Sequence, residues 1–206
     1  MSEFAHVERR RASRTEPFER FVALLEEARA VGAQRIPEPT AFALATSARD
    51  RPSVRMLLLK EVDDRGFVFY TNYESRKGRE LLANPQAAMC FHWQPLEVQV
   101  RIEGRASPVE GGEADAYFGS RARGSQIGAW ASKQSRAIES EGELEARVVE
   151  FERKFENDVV PRPPYWSGFR LVPECIEFWK GMPSRLHRRE LYRVSDGGWT
   201  VEMLFP

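Results

Sequence analysis

The sequence predicts a mainly β domain, built as an antiparallel barrel with helices packed outside it. Three observations lead to this fold class: runs of strand length outnumber helical patterns, turn signals separate consecutive runs, and strands do not alternate regularly with helices. A chain of 206 residues can bury a substantial core and favours one domain over two. We therefore expect residues 1–206 to form a single domain, with 1–15 as a mobile arm.

The first predicted element is an amphipathic helix near the N terminus. Its apolar side chains recur at helical spacing, at Phe18, Phe21, Val22, Leu25 and Ala28. Ser13 and Glu16 form a capping box before this stripe, and Gly32 supplies a stop signal after it.

Strands dominate the next part of the chain. Runs rich in Val, Leu, Phe and Tyr predict strands at residues 41–47, 53–60 and 66–72. A short helix is expected at 75–84, followed by strands at about 86–93 and 96–107. In the last of these strands polar residues, Gln99 among them, alternate with apolar ones, so one face is polar and the other enters the core.

The C-terminal half begins with helices and returns to strands. Helical patterns cover residues 110–120 and 125–132. A longer helix, capped by Ser140 and Glu143, has an apolar stripe at Leu144, Val148, Phe151 and Phe155. The final strands are expected at about 167–172, 174–180, 185–194 and 198–204.

Composition excludes several classes of protein. Lys plus Arg and Asp plus Glu are each 31, so the chain lacks the basic field typical of nucleic-acid binding, and any anion site must be local. No apolar run approaches the roughly 20 residues that span a bilayer. The first 14 residues are charged where a signal peptide needs an apolar core. We expect a cytoplasmic protein with no nucleic-acid or membrane partner.

The two cysteines do not indicate a disulfide framework or a metal centre. Cys90 and Cys175 lie in apolar strand-like runs, which is typical of buried, reduced thiols. Together with His92 and His187 they show no close-pair ligand spacing, so we predict no metal site.

Two groups of polar residues could bind anions. Ser75, Arg76 and Lys77 open a helix, where free backbone N–H groups and the helix dipole favour a phosphate, and Arg55 can reach a phosphate as well. The alternative is a solvated helix start. Tyr117 and Arg121 have i, i+4 spacing and would share a helix face; the alternative there is an ordinary amphipathic helix.

A third group lies near the C terminus. Arg185, His187 and Arg189 alternate along a predicted strand and would project to one face. Such a row repels itself unless an anion or a carboxylate lies opposite.

Short ordered blocks that mix apolar and cationic residues lie at 55–60, 66–71, 75–77, 125–130, 133–135 and 185–187, and they include several members of these groups. Together the blocks resemble the pyridoxamine 5′-phosphate oxidase family of flavoproteins, over residues from about 42 to 206. The resemblance implies an FMN-binding split β-barrel, FMN as the cofactor, and a homodimer with the flavin at the subunit interface.

The resemblance also implies roles for individual residues. The cofactor-binding positions would be Arg55, Met56, Leu57, Leu58, Lys60, Tyr70, Thr71, Ser75, Arg76, Lys77, Gln99, Gln134, Ser135, Trp179 and Arg189. The substrate phosphate would be held by Lys60, Tyr117, Arg121 and Ser125. Arg185 and His187 would contact the substrate ring as the catalytic pair. Arg188 departs from the family, which usually has Asp there, and adds a like charge, although strand parity points it away from the site.

The implied reaction belongs to vitamin B6 metabolism. A hydride equivalent would pass from C4′ of pyridoxamine or pyridoxine 5′-phosphate to the flavin N5, and O2 would reoxidise the flavin to give hydrogen peroxide. Two alternatives stay open: an FMN oxidase with another substrate, as in phenazine biosynthesis, and a non-catalytic protein that binds flavin or pyridoxal phosphate.

Overall fold

A computed structural model describes residues 10–206. The strands are β1 Arg10–Ala12, β2 Ala41–Ala48, β3 Arg51–Leu58, β4 Glu61–Asp63, β5 Gly66–Asn72, β6 Gln86–Trp93, β7 Val98–Pro108, β8 Trp166–Lys180, β9 Arg188–Ser195 and β10 Gly198–Leu204. The α-helices are α1 Glu16–Ala30, α2 Arg76–Ala83, α3 Gly111–Ser120, α4 Arg123–Ala131 and α5 Glu143–Lys154.

The ten strands of residues 10–206 belong to one antiparallel sheet. Its order is β1-β10-β9-β8-β7-β6-β2-β3, with β5 paired to β8 and β4 paired to β5. Strand β8 holds the sheet together, because residues 166–171 pair with β5, residues 175–180 pair with β9, and β7 pairs with residues 169–180. The predicted mainly β class with packed helices is therefore confirmed.

A bulge in β7 lies where β8 changes partners. The register shifts between Glu103 and Gly104, and a Cβ on Gly104 would lie 2.1 Å from the Val172 carbonyl oxygen. Only glycine allows the two strands to approach this closely. Pro173 lies opposite Gly104, at an irregularity where the missing amide donor is tolerated, so β8 continues through the proline.

The main core lies between the sheet and α1. The ring of Phe21 packs edge-on against Phe67 and Phe91, with centroids 5.0 and 4.9 Å apart. Phe18, Phe21, Leu25 and Ala28 are buried as predicted, but Val22 is 39% exposed, so its place in the buried stripe was wrong. Val22 follows Phe21 by one residue, which turns it about 100° from the buried face.

A second apolar cluster forms the base of the helical side of the molecule. It contains Phe118, Ile127, Phe155, Val160 and Trp166, and therefore joins α3, α4 and the end of α5 to the start of β8. This cluster fixes α3 and α4 beside β5, which is the arrangement that creates the cavity described below.

Most predicted elements are present, and the structure differs from the prediction at three places. The two strands predicted at 167–172 and 174–180 are one strand. The strand predicted at 185–194 begins at Arg188, because Ser184 and Arg185 have φ of 58° and 60° and turn the chain. The arm predicted at 1–15 overlaps β1, which pairs with β10, while residues 1–9 lie outside the described residues.

The two predicted helix caps differ. The Ser13 hydroxyl accepts a hydrogen bond from the Glu16 amide at 3.2 Å. Before α5 the chain turns through Gly142, at φ 85°, and the Glu143 carboxylate accepts from the Glu139 amide at 2.9 Å. In residues 10–206, no helix is both long and apolar enough to cross a membrane.

Candidate active site

A cavity of about 700 Å³ lies between the strands β3 and β5 and the helices α3 and α4. Eleven residues assigned from the sequence line it: Met56, Leu57, Leu58, Lys60, Tyr70, Thr71, Lys77, Tyr117, Arg121, Ser125 and Gln134. Sequence reasoning missed six others: Asn72, Ala122, Gly128, Ala129, Ser132 and Trp166. The volume is in the range of sites that bind cofactors and small molecules.

One wall of the cavity is a cluster of three nearly parallel aromatic rings. The Tyr70 ring centroid lies 4.0 Å from that of Tyr117 and 5.4 Å from that of Trp166, with planes tilted by 15° and 5°, and the Tyr117 and Trp166 centroids are 6.1 Å apart. Burial, and then the nearby Glu113, raises the pKa of Tyr70 to about 12, so its phenol stays neutral at ordinary pH. The wall offers flat apolar surface together with the neutral hydroxyl of Tyr70.

Two buried polar atoms beside this wall lack partners. Among residues 10–206, neither Thr71 Oγ1 nor Arg121 Nη1 has a hydrogen-bond partner. The Arg121 guanidinium lies 4.7 Å from the Trp166 ring centre, and desolvation lowers the pKa of Arg121. Unpaired buried donors are costly, so the cavity is suited to a ligand with hydrogen-bond acceptors.

The start of α2 brings a cation to the cavity. The buried Ser75 hydroxyl accepts from the Gly78 amide at 3.2 Å and donates to the Asn72 carbonyl at 2.6 Å, which fixes the helix start against the end of β5. A Cβ on Gly78 would lie 2.5 Å from the carbonyl oxygens of Asn72 and Tyr73, so this approach requires glycine.

Lys77 is the buried cation at this position. Lys77 is only 8% exposed, and its Nζ donates to Gln134 Oε1 at 2.9 Å. Desolvation, and then the charge of Arg55, lowers the pKa of Lys77 to about 8. An anion in the cavity would relieve both effects.

Arg55 and Arg76 meet at a carboxylate beside the cavity. Arg55 Nη2 donates to Glu80 at 3.2 Å and to Ser53 at 2.5 Å, while Arg76 Nε donates to Glu80 at 2.8 Å. In the described part of the chain Arg55, Ser75 and Arg76 are absent from the cavity lining. Lys60 does line the cavity. In a continuous strand Lys60 and Arg55 would point to opposite faces, but β3 ends at Leu58, so this alternation does not extend to Lys60.

Three of the four remaining cofactor positions form a row on the sheet. Gln99 pairs with Trp179, and Trp179 pairs with Arg189, so the three side chains share one face across β7, β8 and β9. Arg189 donates to the buried Glu177 at 2.7 and 3.1 Å. Ser135, at φ 70°, lines a smaller cavity next to the main one. Of the residues that the structure describes, these four do not line the main cavity.

Arg185 and His187 do not lie on a strand with Arg189. The predicted alternation of the three is wrong, because a 3₁₀ turn at Pro183–Arg185 precedes β9. His187 Nδ1 accepts from the Met182 amide at 3.2 Å, and its ring lies 4.6 Å from Trp179. Within residues 10–206, neither Arg185 nor His187 lines the main cavity. Arg188 pairs with Glu190 at 2.9 Å, which offsets the added charge.

Two family models and many relatives match most of this chain. A family model described as pyridoxamine 5′-phosphate oxidase matches residues 26–155, and one described as the pyridoxine 5′-phosphate oxidase C-terminal dimerisation region matches residues 166–206. A pyridoxine/pyridoxamine 5′-phosphate oxidase of Myxococcus xanthus (strain DK1622) is 57% identical over 192 residues, covering 93% of this chain and 92% of its own. A protein of the same name from Rhodospirillum rubrum is 54% identical over 197 residues, covering 93% and 96%.

Solved structures give the same result for the fold. PhzG from Burkholderia lata 383, in complex with tetrahydrophenazine-1-carboxylic acid, has a TM-score of 0.84 at 34% identity and covers 94% of this chain and 93% of its own. A pyridoxamine 5′-phosphate oxidase-related, FMN-binding protein from Nostoc punctiforme has a TM-score of 0.71 at 19% identity, covering 92% and 98%, and supports the fold alone. The resemblance found in the sequence is confirmed: the chain belongs to the pyridoxamine 5′-phosphate oxidase family of split-barrel, FMN-dependent oxidases.

Proposed function

We propose that this chain oxidises pyridoxamine 5′-phosphate or pyridoxine 5′-phosphate to pyridoxal 5′-phosphate, with FMN as cofactor and O2 as acceptor, and releases hydrogen peroxide. The observation that carries the proposal is the combination of cations and stacked rings in one cavity: Lys60, Lys77 and Arg121 surround the wall formed by Tyr70, Tyr117 and Trp166. FMN and the substrate each join a phosphate to a flat ring, so both suit this lining.

The residues fit FMN at the α2 side of the cavity. Lys77 and Gln134, with Arg76 beside them, would hold the phosphate, and residues 56–58 would give apolar contacts to the flavin. The unpaired Thr71 hydroxyl supplies a donor or acceptor for a ring edge. When bound, FMN supplies the redox chemistry, taking up a hydride equivalent and passing electrons to O2.

The residues fit a second phosphate at the α3 side. Arg121 presents an unpaired N–H group, and Lys60, Tyr117 and Ser125 line the same cavity. Holding the substrate through its phosphate would orient its ring against the flavin and make the reaction effectively intramolecular. No nucleophilic side chain is needed for this role.

The C-terminal residues enter the proposal through a homodimer. Trp179, Arg185, His187 and Arg189 lie in the matched dimerisation region, 166–206, and outside the cavity lining of the chain as described. We infer that a second copy brings this group to the flavin at the interface, where Arg185 would orient the substrate ring and His187 would hydrogen bond to the reacting substituent. A cytoplasmic location and the lack of a nucleic-acid partner stay predictions from composition.

One alternative substrate class is supported by a specific observation. The PhzG structure, 34% identical, holds a tetrahydrophenazine carboxylic acid, which has a larger ring system and no phosphate. In that case Arg121 and Lys60 would face a carboxylate. The non-catalytic alternative finds no such support, since relatives at 52–57% identity are named as oxidases.

The test is aerobic turnover by the FMN-loaded protein. Pyridoxal 5′-phosphate is followed by absorbance and peroxide by a coupled assay, with unphosphorylated pyridoxamine and tetrahydrophenazine-1-carboxylic acid in parallel. We expect product and peroxide from the phosphate esters, and far less from pyridoxamine. Turnover of the phenazine alone would favour the second substrate class, and a flavin-loaded protein that oxidises neither would refute both.

A further inference from the structure

Glu80 is a buried carboxylate that connects three elements next to the cavity. It lies in α2, is 7% exposed, and is not one of the site residues predicted from the sequence. The hydroxyls of Thr46 and Ser53, on β2 and β3, donate to Oε2 at 2.5 and 2.6 Å. Burial would raise the pKa of Glu80, but hydrogen bonds from Ser53, Thr46 and Arg76 lower it to about 2, so the group stays ionised.

The same carboxylate orients two arginines. Arg76 Nε donates to Glu80 Oε1 at 2.8 Å, which anchors the guanidinium of a side chain that is 60% exposed. The Arg55 guanidinium is held by its two terminal nitrogens, Nη1 to Thr46 at 2.6 Å and Nη2 to Glu80 at 3.2 Å. A planar guanidinium bound along one edge presents its other N–H groups in a fixed direction.

The charges of this cluster suit a phosphate monoester. Arg55 and Arg76 both pair with Glu80, and Arg55 is close enough to Lys77 to lower the pKa of Lys77. The cluster therefore has three cations and one carboxylate, an excess of two positive charges. A phosphate monoester carries about −1.5 to −2 at neutral pH. A bound phosphate would therefore balance the cluster, whereas a flavin without phosphate would not.

We propose that Glu80 is the positioning residue of the flavin phosphate site: its hydrogen bonds with Thr46, Ser53 and Arg55 hold α2 against β2 and β3, and its bond with Arg76 orients that guanidinium, so that Arg76 and Lys77 converge on one phosphate. This inference rests on the proposed FMN cofactor. Glu80 itself would not touch the ligand, because two same-sign charges repel. Its contribution is geometric.

A purely electrostatic role for Glu80 and a positioning role predict opposite changes in FMN affinity when Glu80 is removed. If Glu80 acted only through its charge, its removal would raise the local positive potential and strengthen the binding of a dianion. If Glu80 acts by positioning, its removal frees Arg76 and weakens the binding of FMN, with no effect on riboflavin, which has no phosphate.

The experiment compares FMN with riboflavin by flavin fluorescence titration of the flavin-free protein. We expect Glu80→Ala to weaken FMN binding at least tenfold and to leave riboflavin affinity unchanged. Glu80→Gln should recover part of the loss, because its amide oxygen still accepts hydrogen bonds. Thr46→Val, which keeps the carboxylate and removes one of its donors, should cause a smaller loss in the same direction. If Glu80→Ala does not fold, Glu80→Gln and Thr46→Val are used to test the proposal instead.

Glu190→Gln is the matched control. Glu190 is 8% exposed and pairs with Arg20 and Arg188, so it has a similar environment in another part of the sheet. Its substitution should lower the melting temperature without changing the preference for FMN over riboflavin. Tighter FMN binding by Glu80→Ala, or equal losses of FMN and riboflavin, would overturn the positioning role and leave the FMN cofactor standing. A wild-type protein that does not prefer FMN to riboflavin would overturn both.

Discussion

Raising the pH should weaken FMN binding through the deprotonation of Lys77. The pKa of Lys77 in the flavin-free protein is about 8, lowered from 10.5 first by desolvation and then by Arg55. A dianion in contact with Nζ favours the charged form, so binding should raise this pKa to its ordinary value or above. At pH 7 the ammonium is already present; at pH 9 FMN must bind together with a proton.

The magnitude follows from proton linkage. One pH unit above a pKa of about 8, roughly nine in ten Lys77 side chains are neutral, so FMN affinity should be about tenfold lower at pH 9 than at pH 7, or about 1.4 kcal/mol. The phosphate stays dianionic over this range, since its second pKa is about 6. The phenol of Tyr70, with a pKa of about 12, does not titrate there.

Fluorescence titration with FMN at pH 7, 8 and 9 measures this dependence. Lys77→Arg is the matched variant, because a guanidinium keeps its charge at every pH used and should give a flat profile. Riboflavin should also bind with a flat profile. A pH dependence of equal size in Lys77→Arg, or none in the wild-type protein, would refute the reasoning.

The stability of the flavin-free protein should change in the opposite direction. Because the folded-state pKa of Lys77 is lowered, the unfolded chain binds more protons between about pH 8 and the ordinary pKa of 10.5. The contribution of Lys77 to the free energy of unfolding therefore rises with pH across this window. Denaturant unfolding of wild type and Lys77→Met at pH 8 and 10 would separate this contribution from other groups.

Three further predictions concern the cavity and its surroundings. Gly78→Ala should lower the free energy of unfolding by about 1–3 kcal/mol and Tm by roughly 3–10 °C, because its Cβ would meet two carbonyl oxygens at 2.5 Å; Gly112→Ala, with open space around it, should not. Arg121→Met should raise KM for the phosphate substrate at least about thirtyfold, in line with a loss of about 2 kcal/mol or more, with FMN affinity retained. Arg185→Ala should keep the flavin and reduce kcat sharply, and loss of flavin would contradict its assignment to the substrate.

Much of the fold follows from local signals in the sequence. Ser75 predicts the start of α2 because its hydroxyl can accept from a free amide of the first turn, and the structure has this bond to Gly78. The apolar stripe of α1 is correct at four of its five positions, since helical periodicity depends only on spacing. The ordered blocks identify the family because they can be recognised in local sequence, without knowledge of long-range contacts.

Features that depend on distant partners were beyond local reasoning. The strands predicted at 167–172 and 174–180 are continuous through Pro173, because the bulge at Gly104 on another strand makes the proline acceptable. Trp166 was missed because nothing in its immediate sequence indicates a stack on Tyr70. The carboxylate that holds the Arg55 guanidinium lies 25 residues later in the chain, so local sequence did not indicate this pair. Ser184 and Arg185 have positive φ although neither is a glycine, so no signal in the sequence indicated the turn that prevents the predicted alternation with Arg189.

The continuity of β8 has a consequence for how the enzyme responds to dilution. Trp166 lies at one end of this strand and Trp179 near the other. At about 3.3 Å per residue the chain between them extends roughly 40 Å, too far for both residues to serve one flavin from the same subunit. In the proposed dimer each subunit contributes part of both active sites, so a lone subunit has no complete active site. Specific activity should then fall as the protein is diluted below its dimer dissociation constant, and mixtures of Arg121→Met and Arg185→Ala subunits should regain one functional site per mixed dimer.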